Sequence, residues 1–299
     1  MSDVSPARVI GEIADAIPAD CREHMIIIGS LAAGYHFFGN DSNLYVRTKD
    51  ADSVLRPRSA AVRSGREIAE RLISGGWKQR TDGDFGKPGS ASTPDGLLPA
   101  VRLHPPGSTE WFVEFLTLPD VREPAGRQFL RLELSTGHFG LPSFEYLTLS
   151  TFEPALTPFG VYCARVEMMA LANMLEHPRI GPDLIKNTTT KRSNKDLGRV
   201  LAIARLSNES SVADWPEAWV SGLRSCYPDR WRDLSRAAGA GIRELVDSRG
   251  DLLQAVETCN NGLLSSRQVT LEELELTARR FLQDAVAPLE AEAATGSAS

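Results

Sequence analysis

One carboxylate pair in this chain stands where chemistry could use it. Asp50 and Asp52 close the extended run Arg47-Thr48-Lys49-Asp50-Ala51-Asp52. A strand's period of two puts both side chains on one face. Like charges aimed the same way repel unless a cation sits between them. Mg²⁺ takes one or two carboxylates and completes its octahedron with water and phosphate oxygens. Spacing alone carries little weight, because roughly five acidic pairs of this spacing are expected at ordinary composition. Asp82/Asp84, Glu273/Glu275 and Glu290/Glu292 are further cases here. Those fall in a glycine-rich loop, a helix and an acidic tail, where solvated charge accounts for them.

Two neighbours raise the interest of the Asp50/Asp52 pair. Upstream, the apolar run Met25-Ile26-Ile27-Ile28 breaks at Gly29-Ser30 into a helical segment, Leu31 to Phe38. Free N–H groups at a helix start, a serine hydroxyl and the helix dipole together suit an anion. A glycine there also merely permits a tight turn. Downstream, Glu114 sits in Trp111-Phe112-Val113-Glu114-Phe115-Leu116, an acid between bulky apolar residues whose burial is costly without a partner. A phosphate-sized turn, a double aspartate and a third acid suit metal-assisted nucleotidyl transfer. His104 could stand nearby as a proton acceptor, although a satisfied edge histidine explains it as well.

The elements that must position these residues read as follows. Val9, Ile10, Ile13, Ala14 and Ile17 recur at helical spacing until Pro18. After the strand, helix and double-aspartate strand, Ser59 to Ser74 reads as a basic amphipathic helix. Val62, Ala69, Leu72 and Ile73 face inward there, Arg63, Arg66 and Arg71 face outward, and Gly75-Gly76 ends it. Trp77 to Thr81 reads as an edge strand and residues 82–96 as a mobile surface loop. Leu97 to His104 and Trp111 to Thr117 read as strands joined by Pro105-Pro106-Gly107-Ser108. Strand-like pieces continue to about Val161, and from Ala164 the pattern turns helical, with Leu276 to Ala287 as the last helix. The expected organisation is α+β: a core over residues 1–162 with a mixed sheet, a helical domain over 163–288 and a disordered tail over 289–299.

Composition narrows the function classes. The chain of 299 residues is 42% hydrophobic and 24% charged, ordinary for a globular protein. The N-terminus lacks the basic start and apolar core of a secretory signal, and no apolar run approaches the roughly 20 residues that cross a bilayer, so a cytoplasmic protein without membrane contact is expected. Cys21, Cys163, Cys226 and Cys259 show no metal spacing and read as buried free thiols. A net charge of −6 argues against a non-specific nucleic-acid coat. The charge is uneven, however: Arg47 to Arg80 holds nine basic residues against four acids, and Lys186 to Arg205 six against one. Such segments suggest local sites for a triphosphate or an RNA backbone. Trp215, Trp219 and Trp231 could be a stacking platform, but their helical spacing favours core.

Gly29-Ser30, Asp50-Ala51-Asp52 and Glu114 resemble the nucleotidyltransferase superfamily with the DNA polymerase β-like fold. The form Arg47-Thr48-Lys49-Asp50-Ala51-Asp52 is most similar to the bacterial branch of abortive-infection and toxin–antitoxin nucleotidyltransferases. Glu167 and the pair Lys195-Asp196 look like that branch's later motifs. The lysine expected after the helix glutamate is absent, with Ala172 and Asn173 in that area, and Arg199 stands where a further aspartate is expected. The resemblance implies a polymerase β-like core followed by a C-terminal helical domain. It also implies transfer of a nucleoside monophosphate from a triphosphate such as ATP to a hydroxyl acceptor, with pyrophosphate released. Asp50, Asp52 and Glu114 would hold two Mg²⁺ ions, Gly29 and Ser30 would fix the β and γ phosphates, and Lys191, Arg192 or Lys195 would neutralise pyrophosphate. The acceptor stays open between an RNA such as tRNA, a protein and a small molecule. A toxin of a toxin–antitoxin or phage-defence system, with an antitoxin partner, is one implied setting. A catalytically degenerate relative that binds a nucleotide or partner is the alternative.

Overall fold

The computed structural model describes residues 2–39, 41, 44–81, 86–120, 128–181 and 183–295. The chain divides into two compact units, Met1–Asn43 with Arg47–Ala164, and Leu44–Val46 with Arg165–Ser299. In chain order the first runs β1 (Ser2–Val4), α1 (Pro6–Ala16), β2 (Met25–Ile27), α2 (Gly29–Phe38), β3 (Val46–Thr48) and β4 (Asp50–Leu55). It continues with α3 (Arg58–Ser74), β5 (Lys78–Gln79), β6 (Arg102–His104), β7 (Phe112–Thr117), β8 (Gln128–Leu134), β9 (Gly137–Ser143), β10 (Ala155–Leu156) and β11 (Tyr162–Cys163). The second unit holds the helices α4 (Val166–Ile180), α5 (Arg192–Leu206), α6 (Glu209–Cys226), α7 (Trp231–Ala237), α8 (Ala240–Asp247), α9 (Arg249–Asn260), α10 (Leu271–Phe281) and α11 (Ala287–Thr295). The architecture is α+β.

Seven strands form one mixed sheet in the order β10-β11-β2-β4-β7-β6-β5. Pairing is parallel for β11 with β2 and for β4 with β7, and antiparallel for the other neighbours. β4 and β7 lie inside the sheet, and each buries apolar side chains on both faces. On one face Leu55 reaches α3 at Gly65, where an added Cβ would lie 2.8 Å from a Leu55 methyl and 3.8 Å from Leu132 and Leu141. The small residues Ala61, Ser64 and Gly65 let α3 approach, and Ile68, Ala69 and Leu72 extend the contact, all buried. Each fully buried Leu or Ile there contributes roughly 1.5–3 kcal/mol. On the opposite face Val54, Leu116 and Leu147 pack together with Ile28, Leu118 and Phe144. Asp50, Asp52 and Glu114 share the parity of Val54 and Leu116, so they lie on that second face, further back along the strands.

Several expectations change. Asp50 and Asp52 open a strand rather than close one, because β4 runs on through Ser53, Val54 and Leu55. Val62 and Ile73 are half-buried, whereas Ser64 and Gly65 take the inward face of α3. Residues 82–85 of the expected loop lie outside the described residues. Its remainder is tied down by a bridge from Gly89 to His138 and a 3-10 turn at Asp95–Leu97.

The expected tail is helical to Thr295, and residues 296–299 lie outside the described residues. Ala-rich sequence favours helix there, Leu289 and Ala293 are fully buried, and Arg243 holds Glu290 through two hydrogen bonds of 2.8 and 2.6 Å. Glu290 and Glu292 are therefore paired acids, Glu292 with Arg224 at 3.3 Å. Glu273, read as solvated, closes a capping box with Thr270. Cys226 is only half-buried, whereas the other three free thiols are buried. Trp215 and Trp219 form an aromatic cluster with Phe281, at centroid distances of 5.6 to 5.9 Å. Those tryptophans and Trp231 are core. Among the described residues no helix is long and apolar enough to cross a membrane.

Candidate functional site

Strand register assembles the candidate site. Asp52 pairs with Glu114 across β4 and β7, and Glu114 pairs with Arg102 across β7 and β6. The Arg80 amide donates to the Arg102 carbonyl at 2.8 Å. One row across four strands therefore reads Arg80, Arg102, Glu114, Asp52. The adjacent row reads Lys78, His104, Phe112, Asp50. Both lie on one face, cations toward the β5 edge and acids toward the centre.

Gly29 meets Asp52 from the other side. The Ile28 amide donates to the Asp52 carbonyl at 2.9 Å, which carries β2 into the first residue of α2. Gly29 has φ +71, a left-handed conformation that L side chains rarely adopt. A Cβ there would lie 2.9 Å from Asp52 Oδ2. Glycine is thus required twice, by the turn and by the carboxylate against it. The N-cap residue of α2, Ile28, has no polar side chain to cap it, and the partial positive charge of that helix end lies beside Asp52. Ser30, the second residue of α2, is half-buried. Asp50 is oriented by the buried Thr48, whose hydroxyl donates to Asp50 Oδ1 at 2.7 Å.

Glu114 behaves differently. Arg102 donates from Nε to Glu114 Oε2 at 2.6 Å and from Nη2 to Oε1 at 3.1 Å, a fork that engages both carboxylate oxygens. Both side chains are mostly buried, 17% and 12% exposed. Phe112 backs the cations, its ring centroid 4.7 Å from the Arg80 guanidinium and 6.0 Å from that of Arg102. His104 packs edge-on against Phe112, and its Nδ1 lies 2.7 Å from the Trp111 carbonyl oxygen. A carbonyl only accepts, so Nδ1 carries the proton. His104 is a satisfied edge histidine.

Asp50 and Asp52, hard oxygen donors on one strand face beside a helix N-terminus, fit a divalent cation. Glu114 differs from the aspartates in its partner: each of its oxygens accepts one bond from Arg102 and keeps a further lone pair. Among the described residues, the group of three whose ligating atoms all lie within 4.8 Å of one another is Asp20, Cys21 and Glu67, not the predicted trio. That group offers exposed carboxylates and a thiol that burial and the charges of Glu67 and Asp20 push up to about 11, which disfavours metal ligation by the thiolate.

The other predicted residues lie in the second unit. Lys191 gives its ammonium to Asp251 at 2.8 Å, Arg192 is exposed in the first turn of α5, and Lys195 is half-buried on that helix. Glu167 is buried and pairs with Arg165 at 2.5 Å. Arg199 lies 3.9 Å from Asp196. Asn194 donates to both Asp251 and Gln254 at 2.9 Å. Lys191, Asn194, Asp251, His177 and Glu244 line a cavity of about 360 Å³ in this unit.

Sequence reasoning missed Thr48, Arg80 and Arg102. The parity of Arg102 was open to inspection, but its register opposite Glu114 was not, because β6 and β7 are joined by more than the Pro105–Ser108 turn. No protein-family model matches the chain, and no curated protein matches it in sequence.

Proposed function

We propose that the chain is a Mg²⁺-dependent nucleotidyltransferase, moving a nucleoside monophosphate from a triphosphate to a hydroxyl acceptor. In this reading its first unit is a polymerase β-like core and its second a C-terminal helical domain. One observation carries the proposal. Gly29, in a conformation reserved for glycine, brings the start of α2 against the Asp52 carboxylate, with Asp50 two residues away on the same face. A helix N-terminus for phosphate beside a carboxylate pair for a cation is what binding a metal–triphosphate requires.

Each residue then has a task. Asp50 and Asp52 hold the cation, with Thr48 fixing the orientation of Asp50. Main-chain N–H groups at the start of α2 and the Ser30 hydroxyl bind terminal phosphate oxygens. Gly29 keeps the backbone close enough for that contact. Bound Mg²⁺ supplies charge neutralisation of the triphosphate and of the developing negative charge at the reacting phosphorus. Glu114 and Arg102 shape the side of the site away from α2.

A second reading, a degenerate relative that binds nucleotide without turnover, draws support from the Arg102 fork on Glu114. Incubation with each α-labelled nucleoside triphosphate, Mg²⁺, and total RNA or cell lysate separates the two. Transfer of label to RNA or protein, lost in Asp50→Ala/Asp52→Ala, is the expected result. Absence of label with every nucleotide, from a folded protein that still binds triphosphate, would favour the second reading.

A further inference from the structure

We propose that the cavity inside the helical unit is a second ligand site, one that takes the carboxylate of a small molecule and needs neither Asp50 nor Asp52. Its lining comes from α4, α5, α8, α9 and the connection between α4 and α5, so the site is complete within that unit.

Three observations carry it. The first turn of α5, a helix of 15 residues, contains no acid and lines the cavity at Ser193 and Asn194. The Arg192 N–H donates to the Asp183 carbonyl at 2.7 Å, whereas the Ser193 and Asn194 N–H groups meet no acceptor among the described residues. The Ser193 side chain is left in the same state. It is 2% exposed, it lines the cavity, and among the described residues its hydroxyl has no hydrogen-bond partner. His177, 8% exposed and also in the lining, holds a buried Nδ1 without a partner, while its Nε2 lies 3.2 Å from Glu244. Buried polar groups are paired in all but a few cases. Two amides and a hydroxyl left open at one helix start therefore point to a missing acceptor.

The charges around them say which acceptor fits. Free N–H groups at a helix start favour an anion. Lys191 and Asp251 cancel one another through their 2.8 Å ion pair, and the Asn194 side-chain amide is committed to Asp251 and Gln254. Glu244 is 73% exposed, so solvent screens its charge. What remains is the partial charge of the helix end, roughly half an elementary charge. One carboxylate matches that. A phosphate dianion would set two charges beside Asp251, whose own cation is already taken. The cavity, about 360 Å³, falls within the ordinary range of small-molecule pockets, roughly 300–1,000 Å³. It has room for several carbons behind the carboxylate.

The test is saturation-transfer NMR on the full chain, with acetate, succinate and glycine as probes and inorganic phosphate as competitor. At least one carboxylate is expected to receive saturation. Its dissociation constant should rise at least about 10-fold in Ser193→Ala, which loses one charge-assisted hydrogen bond. Ser193→Thr keeps the hydroxyl and should bind as the wild type does, and so should Asp50→Ala/Asp52→Ala. Saturation of none of the three probes would mean a cavity filled by water and would overturn the proposal, as would equal affinity in a folded Ser193→Ala protein. Phosphate that displaces the carboxylate at equal or lower concentration would overturn the choice of a single negative charge. Loss of binding in the double aspartate variant would assign the probe to the metal–triphosphate site instead and overturn a separate one.

Discussion

The two units each hold a network of charged groups, and the networks are settled in opposite ways. In the helical unit one carboxylate, Asp251, receives the Lys191 ammonium and the Asn194 amide, and Ser248 caps the helix start beside it. Cation and amide come from the start of α5 and the anion from the start of α9, and each segment arrives with complementary chemistry. On the sheet, three carboxylates stand on two adjacent strands because a period of two leaves them no other face. Thr48 donates to Asp50, the start of α2 lies against Asp52, and a guanidinium holds Glu114. A network selected for stability places unlike groups together. Acids gathered on one face of a sheet stand where a bound cation would lower their mutual repulsion.

Changes to the acids should split along that line, the largest effect coming first. Asp52→Asn is expected to reduce nucleotidyl transfer by at least about 1,000-fold, since cation-mediated charge stabilisation supplies several kcal/mol. Its unfolding free energy should stay within about 0.5 kcal/mol of wild type, because the amide keeps the size and shape of the carboxyl. Urea denaturation beside the label-transfer assay checks both halves. A large loss of stability would make Asp52 a structural anchor like Asp251 and remove the contrast.

The glycines sharpen the same comparison. Gly29→Ala is expected to cost about 1–3 kcal/mol from the left-handed backbone alone, and to lower triphosphate binding further by pressing on Asp52. Gly241→Ala in the helical unit brings a Cβ against the His177 ring, an overpacking cost of similar size. It should lower stability with nucleotide affinity unchanged. Equal loss of affinity in both variants would show that Gly29 acts through global stability only.

How much of this was legible depends on how far apart the partners lie. The strand-to-helix break at Gly29-Ser30 and the face shared by Asp50 and Asp52 are local consequences of residue type and period, and both could be read directly. The fate of Glu114 could not. Whether it meets a cation depends on the β6–β7 register, and one residue of slip would have sent Arg102 to the other face. The same holds for Lys191, whose partner Asp251 lies on α9, far along the chain. The tail misled for a related reason. Its acids look solvated in sequence, and only the packing of α11 brings Arg243 and Arg224 to Glu290 and Glu292. A single carboxylate reveals its neighbours only after folding.

The smallest expected effect concerns acid stability. Burial raises the Asp251 pKa, but hydrogen bonds from Lys191, Asn194 and Ser248 and the Lys191 charge outweigh it and hold the carboxyl below its ordinary 3.8. A depressed folded pKa stabilises the native state above the unfolded value, and that contribution is lost as pH falls through the lower folded one. Both partners are partly exposed, 38% for Lys191 and 20% for Asp251, so solvent screening limits the ion pair itself. Asp251→Asn should therefore lower the unfolding free energy by about 1 kcal/mol at neutral pH. The difference between variant and wild type should be flat from about pH 5 to pH 7.5 and shrink below about pH 3.8. Urea midpoints measured along that pH series decide it. A difference that persists undiminished in acid would mean that Asp251 acts through packing and shape, and that the two networks are settled less differently than their geometry implies.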